Sequence, residues 1–272
     1  VDTADTADSA EADDLRRRLS PLDGTESIDM STETINELEI FPLDGIERAL
    51  CVVAHPDDVE YGTSAAMAAW IAAGVEVHYL LLTSGEAGMQ RPPAEVGPLR
   101  AREQQAACDA VGVARLDILD FPDGMLEYGL PLRRAVARAI REFRPNAVIT
   151  MTWDEAPSWG LNHADHRAAG LATADAIRDA DNTWVFPELA EEGLEKWHSD
   201  WLLVAGSEEP SHAVDVSGEP LERGIASLEA HEAYLAELPW HPAPRDMLTE
   251  ISREAGRSAG VDAAIGFRAF SM

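Results

Sequence analysis

Two short clusters hold the residues best suited to chemistry. His55-Pro56-Asp57-Asp58 ends an apolar run from Ala49 to Ala54, and Asn162-His163-Ala164-Asp165-His166 opens a helical stretch. Three ionisable groups within four residues, directly after a buried run, are costly unless something pairs with them. A metal ion would do so. Two imidazoles and one carboxylate, from His55, Asp58 and His166, suit one zinc ion per chain. They leave a fourth position for water, as a catalytic zinc site requires. Iron(II) or cobalt can occupy the same set. Asp57, beside a ligand but not needed as one, is placed to take a proton from that water. His163, near the metal but spare, can donate to the oxygen that becomes negative when a carbonyl is attacked. These parts describe metal-assisted hydrolysis of an amide or ester.

Each cluster also has a plainer reading. His-Pro-Asp-Asp can be a strand-end turn. The second cluster can be a helix cap, with Asp165 in the first turn favoured by the helix dipole. Adjacent aspartates after a first strand also occur in phospho-acceptor and magnesium sites. A receiver-type domain needs a lysine near a later strand end, however, and the one lysine, Lys196, falls in a loosely patterned region. A metal-binding module without turnover needs neither Asp57 nor His163. Both of these extra groups are present, which favours the enzyme.

The elements that must position these groups alternate. Proline cannot donate to a sheet ladder, so the first apolar strand, Ala49–Ala54, stops before Pro56. A helix over Gly62–Ala73, a strand over Val75–Thr83 and a long loop from Ser84 to Pro98 follow. The pattern continues with a helix at Leu99–Val111, a strand at Leu116–Asp120 and a helix at Leu130–Phe143. A strand at Ala147–Thr152 and a helix at Ala164–Ala180 complete the regular part. Beyond Asp181 the pattern loosens, with strands at Trp201–Ala205 and His212–Val216 and a helix at Leu221–Ala236. This alternation predicts an α/β fold, a Rossmann-like, mostly parallel sheet with helices on both faces. In such a sheet the ends of the first and fourth strands can meet at one crevice, where open α/β sheets bind ligands.

Composition narrows the function classes. Hydrophobic residues make up 46% and charged residues 26% of 272 positions, as in a soluble globular protein. The net charge of −29 argues against nucleic acid or an anionic membrane as partner. No apolar stretch is long enough to span a bilayer, and the acidic N-terminus lacks a signal core, so a cytoplasmic location is expected. Cys51 and Cys108 are too few for a disulfide framework and read as buried core. Residues 1–36 read as a disordered acidic leader, with a short helical possibility at Asp14–Leu19, and residues 37–272 as one domain.

Ala54-His55-Pro56-Asp57-Asp58 and His163-Ala164-Asp165-His166 resemble the paired signatures of the PIG-L/LmbE-like zinc N-deacetylases. The likeness runs from about Ala49 to Ala236. It includes Thr83-Ser84-Gly85-Glu86, Phe121-Pro122-Asp123-Gly124, Val214-Asp215-Val216 and the helical His231. Ala164 stands where the family often has proline. The resemblance implies the same ligands, base and oxyanion donor, and substrates carrying N-acetylglucosamine. It also implies that Arg100 holds sugar hydroxyls and that Asp123 lines the pocket. Within the family the chain looks most like deacetylases of teicoplanin-type glycopeptide-antibiotic pseudoaglycones. The loop Glu86–Pro98 and the stacking surface of Trp153 and Trp159 suit such a bulky substrate. The enzymatic rival is a mycothiol-pathway N-acetylglucosaminyl-inositol deacetylase or amidase.

Overall fold

The apolar run after Arg48 forms a strand whose residues alternate between two cores. Ala49, Cys51 and Val53 pack on one side, while Leu50, Val52 and Ala54 pack on the other. A strand covered on both faces has no polar positions to alternate with, which is why it reads as unbroken hydrophobicity. The computed structural model describes residues 38–272; the expected leader and its short helix lie outside them.

The strands are β1 (Glu39–Ile40), β2 (Arg48–Val53), β3 (Glu76–Leu81), β4 (Arg115–Ile118), β5 (Ala147–Met151), β6 (Trp201–Ala205), β7 (His212–Asp215) and β8 (Ala264–Ser271). They form one sheet in the order β1-β7-β8-β6-β5-β2-β3-β4. Only β8 runs against its neighbours, β6 and β7. The mostly parallel α/β sheet is therefore borne out, with an antiparallel insertion that no local pattern announces.

The helices are α1 (Asp58–Gly62), α2 (Ser64–Ala72), α3 (Pro93–Val111), α4 (Leu130–Phe143), α5 (Ala164–Ala180), α6 (Glu188–Glu191), α7 (Glu219–Glu229), α8 (Glu232–Ala236) and α9 (Pro244–Ala259). Helices α2 and α3 pack on the face of Cys51, and α4 and α5 on the face of Leu50. The expected boundaries of α4 and α5 hold to the residue. Others shift. The helix anticipated at Gly62–Ala73 is two, interrupted at Thr63, whose φ of −142° is not helical. Helix α3 begins at Pro93 rather than Leu99, because a proline at the first helical position brings its own φ and lacks only an orphan N–H. Pro98 then sits inside that helix. The single helix anticipated at Leu221–Ala236 breaks at Ala230–His231. No helix of the described residues is long and apolar enough to cross a membrane.

Strand order reverses between β2 and β5, which pair in parallel through Ala49–Cys51 and Ala147–Ile149. From β2 the chain steps to β3 and β4, then crosses to β5 on the opposite side. The carboxyl ends of β2 and β5 therefore flank a switch-point crevice. Helix α5 approaches β5 closely at Gly170, where a Cβ would lie 2.5 Å from the Met151 carbonyl oxygen. Only glycine lets the second cluster's helix sit this near the strand.

Candidate metal centre

After Val53 the chain turns sharply. Asp57 adopts the left-handed conformation, with φ 88°, and serves as the backbone N-cap of α1. That geometry costs a non-glycine residue about 1–2 kcal/mol. It projects Asp57 and Asp58 from the β2 end toward the start of α5.

The structure brings His55, Asp58 and His166 together, with ligand atoms all within 4.8 Å of one another. Asp58 bridges the histidines. Its Oδ1 lies 3.1 Å from His166 Nε2, and its Oδ2 lies 3.4 Å from His55 Nδ1 and accepts the His55 backbone N–H at 2.7 Å. His166 Nδ1 is 3.1 Å from Asn162 Oδ1. The Asn162 amide donates to the carbonyls of Thr152 and Asp154, so its oxygen must face the ring. His166 therefore carries its proton on Nδ1 and presents an unprotonated Nε2, whose lone pair can bind a metal. A metal-ligating histidine is commonly oriented in this way.

His55, His163 and Asp165 form a second group within the same distance limit. It is less suited to an ion, because both Asp165 oxygens are already engaged. It accepts the Gly124 N–H at 2.8 Å and the Leu126 N–H at 3.1 Å, and lies 3.3 Å from His55 Nε2. Asp123 Oδ1 is 3.0 Å from the same nitrogen. Two buried carboxylates thus fix His55 with its proton on Nε2 and leave Nδ1 on the Asp58 side. The His55–Asp58–His166 set fits a tetrahedral metal with one open position.

The electrostatics agree with a cation-binding cluster. Burial works against a charge on His55, but Asp58, Asp123 and Asp165 overcome it and push its pKa up to about 12. Burial likewise opposes the Asp58 charge, and His166 and His55 outweigh it, holding the carboxyl well below its ordinary range. Burial drives Asp57 the other way, to about 6, with Arg100 pulling against it and Asp58 adding to the rise. A carboxylate poised near neutrality is suited to accepting and returning a proton.

His163 caps α5. Its Nδ1 accepts the Asp165 backbone N–H at 3.2 Å, so the ring proton is on Nε2. Burial and the neighbouring His55 and His166 lower its pKa, favouring the neutral ring. A neutral imidazole with a free N–H can donate to a developing negative charge.

These groups line one cleft of about 340 Å³, walled also by Tyr61, Ala87, Gly88, Asp123 and Tyr234. Tyr61 and Tyr234 have no local sequence signal; they reach the cleft from α1 and from the distant α8. Arg100 is in the wall but only 2% exposed. Its guanidinium donates to the carbonyls of Pro56 and Gly85, lies 3.1 Å from Asp57 Oδ1 and stacks 3.9 Å from the Tyr234 ring. Its reach is thus toward Asp57. Trp159 is outside the lining, 60% exposed, with its ring over Gly206. Trp153 is half-buried and packs against the core beside Gly170 of α5.

Residues 50–177 match the model of the family PIG-L, GlcNAc-PI de-N-acetylase. A diacetylchitobiose deacetylase of Thermococcus kodakarensis is 27% identical over 230 residues, 84% of each chain. A 1D-myo-inositol 2-acetamido-2-deoxy-alpha-D-glucopyranoside deacetylase of Kineococcus radiotolerans is 31% identical over 210 residues, 62% of this chain and 54% of that one. Among solved structures, the N,N'-diacetylchitobiose deacetylase from Pyrococcus horikoshii superposes with a TM-score of 0.76 at 20% identity, over 100% of this chain and 95% of that one. A teicoplanin deacetylase does so with a TM-score of 0.58 at 18% identity, over 83% and 98%. At such identities the last two are likenesses of fold.

Proposed function

We propose that this chain, a PIG-L-type N-deacetylase over residues 50–177, removes the acetyl group from a small N-acetylglucosaminide with zinc as its metal. The observation that carries this reading is the convergence of His55, Asp58 and His166 with Asp57 and His163 in one cleft.

Zinc, when bound, polarises the acetyl carbonyl and makes water nucleophilic near neutral pH. The chain's own groups do the rest. Asp57 takes a proton from the attacking water while Arg100 keeps its carboxylate in place. His163 donates its Nε2 proton in a hydrogen bond to the oxyanion as it develops. Asp57 then returns the proton to the departing amine, releasing acetate and the free amino sugar. Asp123 and Asp165 orient His55 from behind.

A small substrate has the better support. The relatives at 27% and 31% identity are named for diacetylchitobiose and for a glucosaminyl-inositol, whereas the likeness to a teicoplanin deacetylase is one of fold. A cleft of about 340 Å³ is at the low end for ligand sites, and Trp159 is not part of its lining. The glycopeptide reading therefore yields to the alternative. The deciding measurement is acetate released from N,N'-diacetylchitobiose, an N-acetylglucosaminyl-inositol and a glycopeptide pseudoaglycone, each with zinc and with chelator. Zinc-dependent release from a small glycoside is expected. Release from the glycopeptide alone would restore the bulky substrate, and none from any, with zinc bound, would sink the substrate class.

A further inference from the structure

Arg100 holds the side chain of Asp57, but the strained backbone beneath it needs a separate hold. The Asp57 N–H donates to Gln104 Oε1 at 3.0 Å, one turn along α3 from Arg100. The Gln104 amide donates in turn to Glu60 Oε1 at 3.1 Å, and the Glu60 backbone N–H returns to the Asp57 carbonyl at 2.9 Å. These three bonds close a ring around Asp57. The amide orientation is forced, since a backbone N–H only donates and a carboxylate only accepts.

Glu60 is anchored from the far end of the chain. Its Oε1 also accepts the Ser227 hydroxyl at 3.1 Å, and its Oε2 lies 3.7 Å from His231 Nε2. Glu60, Gln104, Ser227 and His231 are all essentially inaccessible to solvent, and none lines the cleft. Their route to the reacting centre runs through Asp57. Four buried polar side chains are an expensive way to fill a core that apolar residues would fill more cheaply.

Resting on the deacetylase reading, we propose that Gln104 and Glu60 are positioning residues for Asp57. They fix its left-handed backbone, and the Ser227 hydroxyl anchors Glu60 by a hydrogen bond while His231 lies at ion-pair distance from it. The C-terminal helices, outside the matched 50–177 segment, thereby set the base's aim.

The test compares Gln104→Met, Gln104→Glu and the exchange Glu60→Gln/Gln104→Glu with the parent protein. Gln104→Met removes the acceptor at nearly constant volume. It should lower kcat on the order of 100-fold, the scale of an ångström-level misplacement, with KM and zinc content unchanged. Amide exchange at Asp57 should quicken. Gln104→Glu sets two carboxylates face to face and should also lose kcat. The exchange restores donor–acceptor pairing and should regain roughly tenfold or more of that loss.

A Gln104→Met protein with kcat within about twofold of the parent, or with Asp57 exchange unchanged, overturns the proposal. So does an exchange variant no better than Gln104→Glu, which also decides the matter if Gln104→Met does not fold. A parent that releases no acetate from any glycoside would count against the deacetylase reading alone, because amide exchange still reports whether Gln104 holds Asp57.

Discussion

Asn162 grips His166 by the nitrogen that a metal does not need. Its Oδ1 lies 3.1 Å from Nδ1, while Nε2 on the other side of the ring faces Asp58 at 3.1 Å. Removing this grip leaves His166 free to choose the wrong tautomer and rotamer. Asn162→Ala should therefore weaken zinc binding roughly 10- to 100-fold, and Asn162→Asp, which keeps an acceptor oxygen, should recover part of it. Competition against a chromophoric chelator reads this directly. Equal zinc affinity in parent and Asn162→Ala would remove the orienting role.

Asp57 is the only carboxylate at the centre that is neither bridging two histidines nor turned toward His55. Asp57→Asn is nearly isosteric and leaves the His55–Asp58–His166 set untouched. It should bind a full equivalent of zinc and lose about 10²- to 10⁴-fold in kcat. Metal analysis alongside acetate release separates the two effects. Retention of most of the rate would move the base elsewhere.

His231 offers a stability test. Burial lowers its pKa, but Glu60 and Asp57 outweigh burial and Arg100, so the folded value is raised above the ordinary 6.5. A raised histidine contributes stability that is fully present below its unfolded value and is lost as pH rises through its folded value. Urea unfolding of the parent, compared with His231→Gln, should thus show a gap that is widest below pH 6.5 and narrows in alkali. A gap that instead widened as pH rose through 6.5 would mean that His231 is buried neutral.

Trp159 packs over Gly206 and does not line the cleft. On a small N-acetylglucosaminide, Trp159→Ala should leave KM within about twofold of the parent. If KM rises tenfold or more, the substrate reaches past the cleft to this ring, as a bulky glycopeptide would.

Much of this was legible from local pattern. Apolar runs, the proline that ends β2 and the cap of α5 are short-range signals, and the chain obeyed them. The antiparallel β8 was not, because its place between β6 and β7 depends on pairing with strands roughly fifty to seventy residues away in sequence. The break before α8 was not either. His231 leaves the helical run where its ring lies 3.7 Å from Glu60, a residue of α1 far away in sequence.

By itself the sequence determined which residues are present for chemistry: two histidines and a carboxylate suited to zinc, a spare aspartate and a spare histidine. The tertiary structure alone decided how the remaining groups divide the work. Asp165 and Asp123 orient His55, Arg100 faces Asp57 rather than solvent, and Tyr61 and Tyr234 close the cleft. Residue type and spacing report what a side chain can donate or accept. Which partner it meets depends on distances across the β2–β5 crevice, which exist only once the sheet has formed.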